Sequence, residues 1–187
     1  MELPTATQEP GVVPLGLGQP APDFRDLLGV DGRHLALSSF DDTPLLAIIF
    51  SCNGCPTVKA TEDRMIALQA TYSPKGLQVV AINSNNSYLS PADTYPEMVK
   101  RAQEKGFNFP YLKDDDGSVG RAYGAISTPH AFLFDHARRL QYRGRIDDSR
   151  DPARVTVRDL QNAIDDLLER RPVRVAETKP FGCAVVR

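Results

Sequence analysis

The chain has 187 residues, of which 41% are hydrophobic and 25% charged, ordinary values for one folded domain with a sizeable core. A formal net charge of -2 argues against an electrostatically driven nucleic-acid partner, and no apolar run approaches the ~18 residues that a membrane span needs. Three cysteines are too few for a disulfide scaffold, so a pair among them points to chemistry.

Residues 1–14 read as an N-terminal extension, and the Pro- and Gly-rich chain as far as Pro22 as extended surface. Met1–Thr5 has neither the basic start nor the apolar core of a signal peptide, so a cytoplasmic location is expected. Phe24–Val30 and His34–Leu37, split by Asp31-Gly32, predict a β-hairpin. Leu45–Phe50 is an unbroken apolar run, which suits a strand buried on both faces. A helix is predicted from about Asn53 to Tyr72, with Val58, Met65, Leu68 and Tyr72 on one face. Ser73–Gly76 is a turn and Leu77–Ile82 the next strand, a βαβ unit. Asn83–Ser90 reads as polar loop. Thr94–Glu97 can form a capping box for a helix to Lys105, ended by Gly106. Asn108–Leu112 is a short extended piece, and Ser118–Tyr123 a short helix ended by Gly124. Ala131–Phe134 and Leu140–Arg143 predict a second hairpin. Asp151-Pro152 can open a last helix with an apolar stripe of Val157, Leu160, Ile164, Leu167 and Leu168, stopped by Pro172. The domain therefore runs over 15–172, and 173–187 is a tail that carries Cys183.

The chemistry concentrates in Ser51-Cys52-Asn53-Gly54-Cys55-Pro56. A strand-to-helix turn places both sulfurs in the first helical turn, where unpaired N–H groups and the helix dipole favour a thiolate. A free thiol ionises near ~8.5, and such sites commonly bring it to roughly 7 or below. Cys52 is expected to attack and Cys55 to resolve, with no cofactor. Half of a zinc site is the competing reading, but structural zinc needs four ligands. Only Cys183 and the scattered His34, His130 and His136 remain, none at ligand spacing.

The apolar strand, the C-x-x-C-P, the long helix and a later Thr128-Pro129 before a strand resemble the thioredoxin superfamily. Gly18–Phe24, Asp31-Gly32-Arg33 and Leu35–Ser38 resemble the front end of peroxiredoxins and peroxiredoxin-like redoxins. The resemblance implies an α/β thioredoxin-like fold: a central mixed sheet flanked by helices, with an added N-terminal β-hairpin. It implies a cis Pro129 lying against the cysteines, with the Thr128 backbone free to pair with an extended substrate. The expected function is thiol–disulfide oxidoreductase acting on protein or small-molecule disulfides and thiols, in cell redox homeostasis. A thiol peroxidase with antioxidant activity is the alternative, and a metal-binding or copper-delivery module on the same fold a third reading. Two departures bear on this. Thioredoxins place a buried Asp six residues before the first Cys and a Trp just before it, where this chain has Leu46 and Ser51. Peroxiredoxins place Pro and Thr seven and three residues before their attacking Cys, where this chain has Leu45 and Ile49.

Several residues carry two readings. Cys183 is either a third thiol brought to Cys52 by a mobile tail, as resolving partner or sulfenate trap, or a thiol with no role in turnover. His130 either moves a proton at the disulfide or bonds the local backbone. His34 and His136 read as hairpin surface. Asp114-Asp115-Asp116-Gly117 reads as a solvated turn, since it lacks the rest of a calcium loop. Arg143, Arg145, Asp147 and Asp148 are expected to make surface ion pairs.

Overall fold

The computed structural model describes residues 12–187, so the expected extension over 1–14, and with it Met1–Thr5, lies almost entirely outside the described residues. Leu15 is the first anchored residue: its side chain is buried and its N–H bonds the Tyr123 carbonyl.

A seven-stranded mixed sheet organises the rest. Its interior strand β3 (Leu45–Phe50) is buried at every position, as a continuous apolar run demands. It runs parallel to β4 (Leu77–Asn83) and antiparallel to β7 (His130–Phe134). β5 (Tyr111–Lys113) adds in parallel beside β4, and β8 (Leu140–Gly144) closes the edge beyond β7. The expected N-terminal hairpin, β1 (Leu27–Gly29) with β2 (His34–Leu35), extends the other edge through β5. It is shorter than predicted, because Leu37 already starts a 3-10 turn that ends at Phe40.

Alternate residues of the central strands enter two cores. Leu45, Ala47, Ile49, Val79 and Ala81 pack under α1 (Pro56–Tyr72), α2 (Tyr95–Lys105) and α4 (Asp159–Leu168). Leu46, Ile48, Phe50, Val80 and Ile82 face Phe24, Phe40 and the Tyr123 of α3 (Ser118–Tyr123). Each such side chain contributes ~1.5–3 kcal/mol when fully buried. With both faces apolar, patterning alone would tolerate a slip in β3; its ladders to β4 and β7 fix the register.

Two helix starts differ from the sequence expectation, and a third falls where expected but without its side-chain cap. α1 begins at Pro56 rather than Asn53, with Cys55 as an extended N-cap (φ -74, ψ 123). Proline suits the first helical position because its missing N–H is not needed there. So Cys52, Asn53 and Gly54 form a loop before the helix. α2 has Thr94 at its cap, but no side-chain capping bond forms. Pro96 at the second helical position removes one of the two N–H groups that such a cap serves. α4 starts at Asp159, while Asp151 caps only a single turn, Pro152–Arg154. The Asp148 carboxylate takes the N–H groups of Thr156 and Val157 and holds that stretch out of the helix. Val157 is accordingly exposed and off the apolar stripe.

The expected surface ion pairs are partly buried instead. Arg145 pairs with Asp159 at 2.6 Å and Arg64 with Asp147 at 2.5 Å, and both carboxylates are almost fully covered. Asp114 turns inward too, accepting from Ser84 and from the Gly120 N–H, so only Asp115 and Asp116 remain as solvated turn. No described helix is long and apolar enough to cross a membrane.

The largest difference lies in the tail, which is docked along its length. The Arg143 N–H donates to Ala176, and the Thr178 N–H returns to the Arg143 carbonyl. Gly144, at φ +144, lets Thr178 pass: a Cβ there would lie 2.2 Å from the Thr178 hydroxyl. The chain ends in β9 (Cys183–Ala184), antiparallel to β6 (Ser127–Thr128) in a two-stranded sheet of its own.

Candidate redox site

The site forms where β3 gives way to α1. The Ser51 N–H makes the last sheet-like bond, to the Ile82 carbonyl. Asn53 then straps the loop down. Its N–H donates to Asp93 Oδ1 at 2.7 Å, its amide donates to the Ala92 carbonyl, and its Oδ1 accepts from the Tyr111 hydroxyl at 2.9 Å. Cys52 and Cys55 are both free thiols, 5% and 3% exposed, packed together with Val58 and Cys183.

Thr128 faces both sulfurs. Its hydroxyl lies 3.3 Å from Cys52 Sγ, and its carbonyl 3.4 Å from Cys55 Sγ. The Thr128–Pro129 peptide is cis. The structure therefore brings Cys52, Cys55, Thr128 and Pro129 together, and adds Cys183. The Thr128 backbone is not free, however: Cys183 sits opposite it in the β6–β9 ladder.

The charge of the pair is arranged differently from the sequence expectation of an ionised Cys52. The hydrogen bond with Cys55 and burial both push Cys52 up, against the Thr128 hydroxyl, and the Asp93 carboxylate adds to the rise. Cys55 is drawn down, first by the Cys52 thiol, then against burial by the Cys183 thiol and the N–H groups of Val58 and Cys183. The two thiols titrate as a coupled pair, and in this arrangement Cys55, at the helix cap, is the more readily ionised. The Thr128 carbonyl is the one contact that favours a protonated Cys55.

Beneath the loop lies a buried polar network that the sequence reading missed. Asp93 accepts from Asn53, Asn83, Asn85 and Ser90. Burial alone would raise its pKa, but these donors outweigh it and hold the carboxyl below the usual range. Lys113 is buried beside it, donating to the Asn85 carbonyl, and burial lowers its pKa. Asn83, Ser84 and Asn85 had read as the start of a polar loop; the signal was their place directly after the buried Ile82, where polar groups need partners.

His130 does not face the sulfurs. Its Nδ1 accepts from the Ile126 N–H at 3.3 Å and its ring lies 4.5 Å from that of Phe132. Burial, then the nearby Arg143, lowers it to about 3, so it is a neutral structural group, the backbone-bonding alternative. Leu46 lies in the apolar core, and Ser51 is buried beside the pair. His34 is exposed and pairs with Asp26. Among the described residues no group of three or more His, Cys, Asp or Glu is arranged to hold a metal.

Residues 17–164 match the redoxin family model. A hypothetical protein from Sinorhizobium meliloti 1021 is 38% identical with a TM-score of 0.86, covering 91% of this chain and 94% of that one. An uncharacterized conserved protein from Geobacillus kaustophilus is 38% identical with a TM-score of 0.87, covering 92% of each chain. A putative thiol:disulfide interchange protein DsbE from Chlorobium tepidum is 27% identical with a TM-score of 0.60, covering 69% of this chain and 84% of its own. No curated protein matches at a significant level.

Proposed function

The chain belongs to the redoxin family, which has the thioredoxin-like fold, and from that premise we propose that it is a thiol–disulfide oxidoreductase working through Cys52 and Cys55. The observation that carries this reading is the packing of the two thiols together against Thr128, the residue before cis-Pro129. Cys52 attacks one sulfur of a substrate disulfide, a mixed disulfide forms, and the other substrate sulfur leaves as a thiolate. Cys55 then attacks Cys52, closing the Cys52–Cys55 disulfide and releasing the second substrate thiol. Run backward, the same steps oxidise a dithiol.

Attack requires the charge on Cys52, so the ionisation preference must shift from Cys55 to Cys52. Withdrawal of the Cys183 thiol and N–H from Cys55 favours that shift, because it removes two donors from the competing sulfur. The Thr128 hydroxyl then serves the Cys52 thiolate. Protein or small-molecule disulfides are the substrate class, and a reducing compartment such as the cytoplasm would keep all three thiols free. The peroxidase alternative is weaker: Leu45 and Ile49 are buried in β3 and offer no hydrogen-bonding side chain to a peroxide.

The test is turnover of a disulfide substrate. Cys52→Ser should lose at least ~10³-fold in rate, while Cys55→Ser should accumulate a mixed disulfide through Cys52. Full activity in Cys52→Ser would end this reading.

A further inference from the structure

The C-terminal strand makes the contacts that a bound substrate segment would make. Ser127 faces Ala184 and Thr128 faces Cys183 in an antiparallel ladder, on the strand that leads into cis-Pro129. The Val185 N–H donates to the Ile126 carbonyl, the Asn86 N–H to the Val186 carbonyl, and the Val186 N–H to Asn85 Oδ1 at 2.9 Å. Gly182 lies so close to Thr128 that a Cβ would stand 2.1 Å from its carbonyl oxygen, at φ +142. Only glycine fits there. The seat is thus built for this segment, and it delivers a thiol. Cys183 packs, half-buried, against the Cys52, Cys55 and Val58 cluster, and its thiol and N–H help to draw the Cys55 thiol down.

We propose that Cys183 is a third redox-active thiol, seated by β9 as a resident substrate, that exchanges with the Cys52–Cys55 disulfide. This rests on the proposed function, which supplies that disulfide. In the step, the Cys183 sulfur attacks the Cys55 sulfur. The Cys55–Cys183 bond forms, the Cys52–Cys55 bond breaks, and Cys52 leaves with the proton that Cys183 gives up. Nothing is oxidised or reduced overall. The product fastens the strand over the groove and leaves Cys52 as a thiol, so the oxidised protein closes itself until a reductant thiol opens the Cys55–Cys183 bond. The bond goes to Cys55 rather than Cys52, because within the cluster that Cys183 packs against, Cys55 is the sulfur on which its thiol and N–H act.

The experiment oxidises the full chain with oxidised glutathione and maps linkages by mass after alkylation. Wild type should contain Cys52–Cys55 and Cys55–Cys183 disulfides. In Cys52→Ser, Cys55–Cys183 should dominate over Cys55–glutathione. Adding Gly182→Val, which keeps every remaining sulfur but cannot seat the strand, should lower the effective concentration of Cys183 at Cys55 by at least about tenfold. Cys52→Ser with Cys183→Ser, which leaves the seat intact, should give only Cys55–glutathione. Predominant Cys55–glutathione in Cys52→Ser, or an unchanged linkage with Gly182→Val, overturns the inference. If wild type forms Cys52–Cys55 yet Cys52→Ser forms no Cys55–Cys183, the resident thiol alone is lost; if wild type forms no Cys52–Cys55 either, the proposed function falls as well.

Discussion

The groove over the cysteines has two walls built on different principles. One is the loop from Cys52 to Cys55, strapped through Asn53 to a buried carboxylate that four donors satisfy. The other is the C-terminal strand, whose Ala184 is exposed and whose Val185, Val186 and Arg187 are only partly covered. Each hydrogen bond of that strand contributes ~0.5–1.5 kcal/mol net, while each residue it orders costs about 1–2 kcal/mol of backbone entropy. The two sums nearly cancel. The cysteine loop is therefore a fixed wall and the tail a removable one, drawn from the low-stability end of the molecule. Under the proposed function, a thiol pair that is 5% and 3% exposed meets substrate when this weakly held strand lifts.

Breaking the fixed wall should produce the largest effect. Asp93→Ala leaves the Asn53 N–H, the Asn85 amide and the Ser90 hydroxyl without their acceptor. Each stranded buried donor costs ~1–3 kcal/mol, and relaxation will recover part of that. A loss of roughly 3–5 kcal/mol in chemical denaturation is expected. A loss below ~1 kcal/mol would mean that the loop is held by something else.

The next effect comes from the strand that follows cis-Pro129. His130 titrates near 6.5 when unfolded and at about 3 in the folded chain. Between these values the unfolded chain binds a proton that the folded chain does not, so stability falls as the pH falls. From pH 7 to 4.5 this group alone should cost ~2.5 kcal/mol. The window stays above the unfolded carboxylates, and His130→Asn, measured over the same range, should flatten the slope. An unchanged slope in the variant would place the titration elsewhere.

The two walls also differ in how far they could be read from the sequence. Leu45–Phe50 followed by Cys52, Cys55 and Pro56 is a local pattern, and the strand, the pair and the long helix follow from neighbouring residues. Even there the helix starts at Pro56, since proline at a helix start and a loop strapped by Asn53 outweigh the apolar periodicity. Asp93 was invisible because its role needs Asn53, Asn83 and Asn85 brought together by the turn after β4. The tail was illegible for the same reason. A segment without periodicity reveals a docked strand only when its partners, Ser127 and Thr128, are known to present an open edge. The clue was Gly182 directly before Cys183: a residue with no Cβ beside a nucleophile marks a close approach.

The smallest change in stability should give the sharpest contrast between the walls. In Gly182→Ala the added methyl would stand 2.1 Å from the Thr128 carbonyl oxygen, so the strand must lift while every side chain of the fixed wall stays in place. Because the docking of the tail is nearly balanced, global stability should change by less than ~1 kcal/mol. The readout is Cys52 itself, isolated by Cys55→Ser and Cys183→Ser, which leave one thiol of the original three. Its alkylation by iodoacetamide should be at least about tenfold faster with Gly182→Ala than without it, since a cover that opens freely no longer limits access. The contrast must appear in the rate and not in the denaturation curve. Equal alkylation rates would show that the C-terminal strand is no cover, and a large stability loss would show that it is no removable wall.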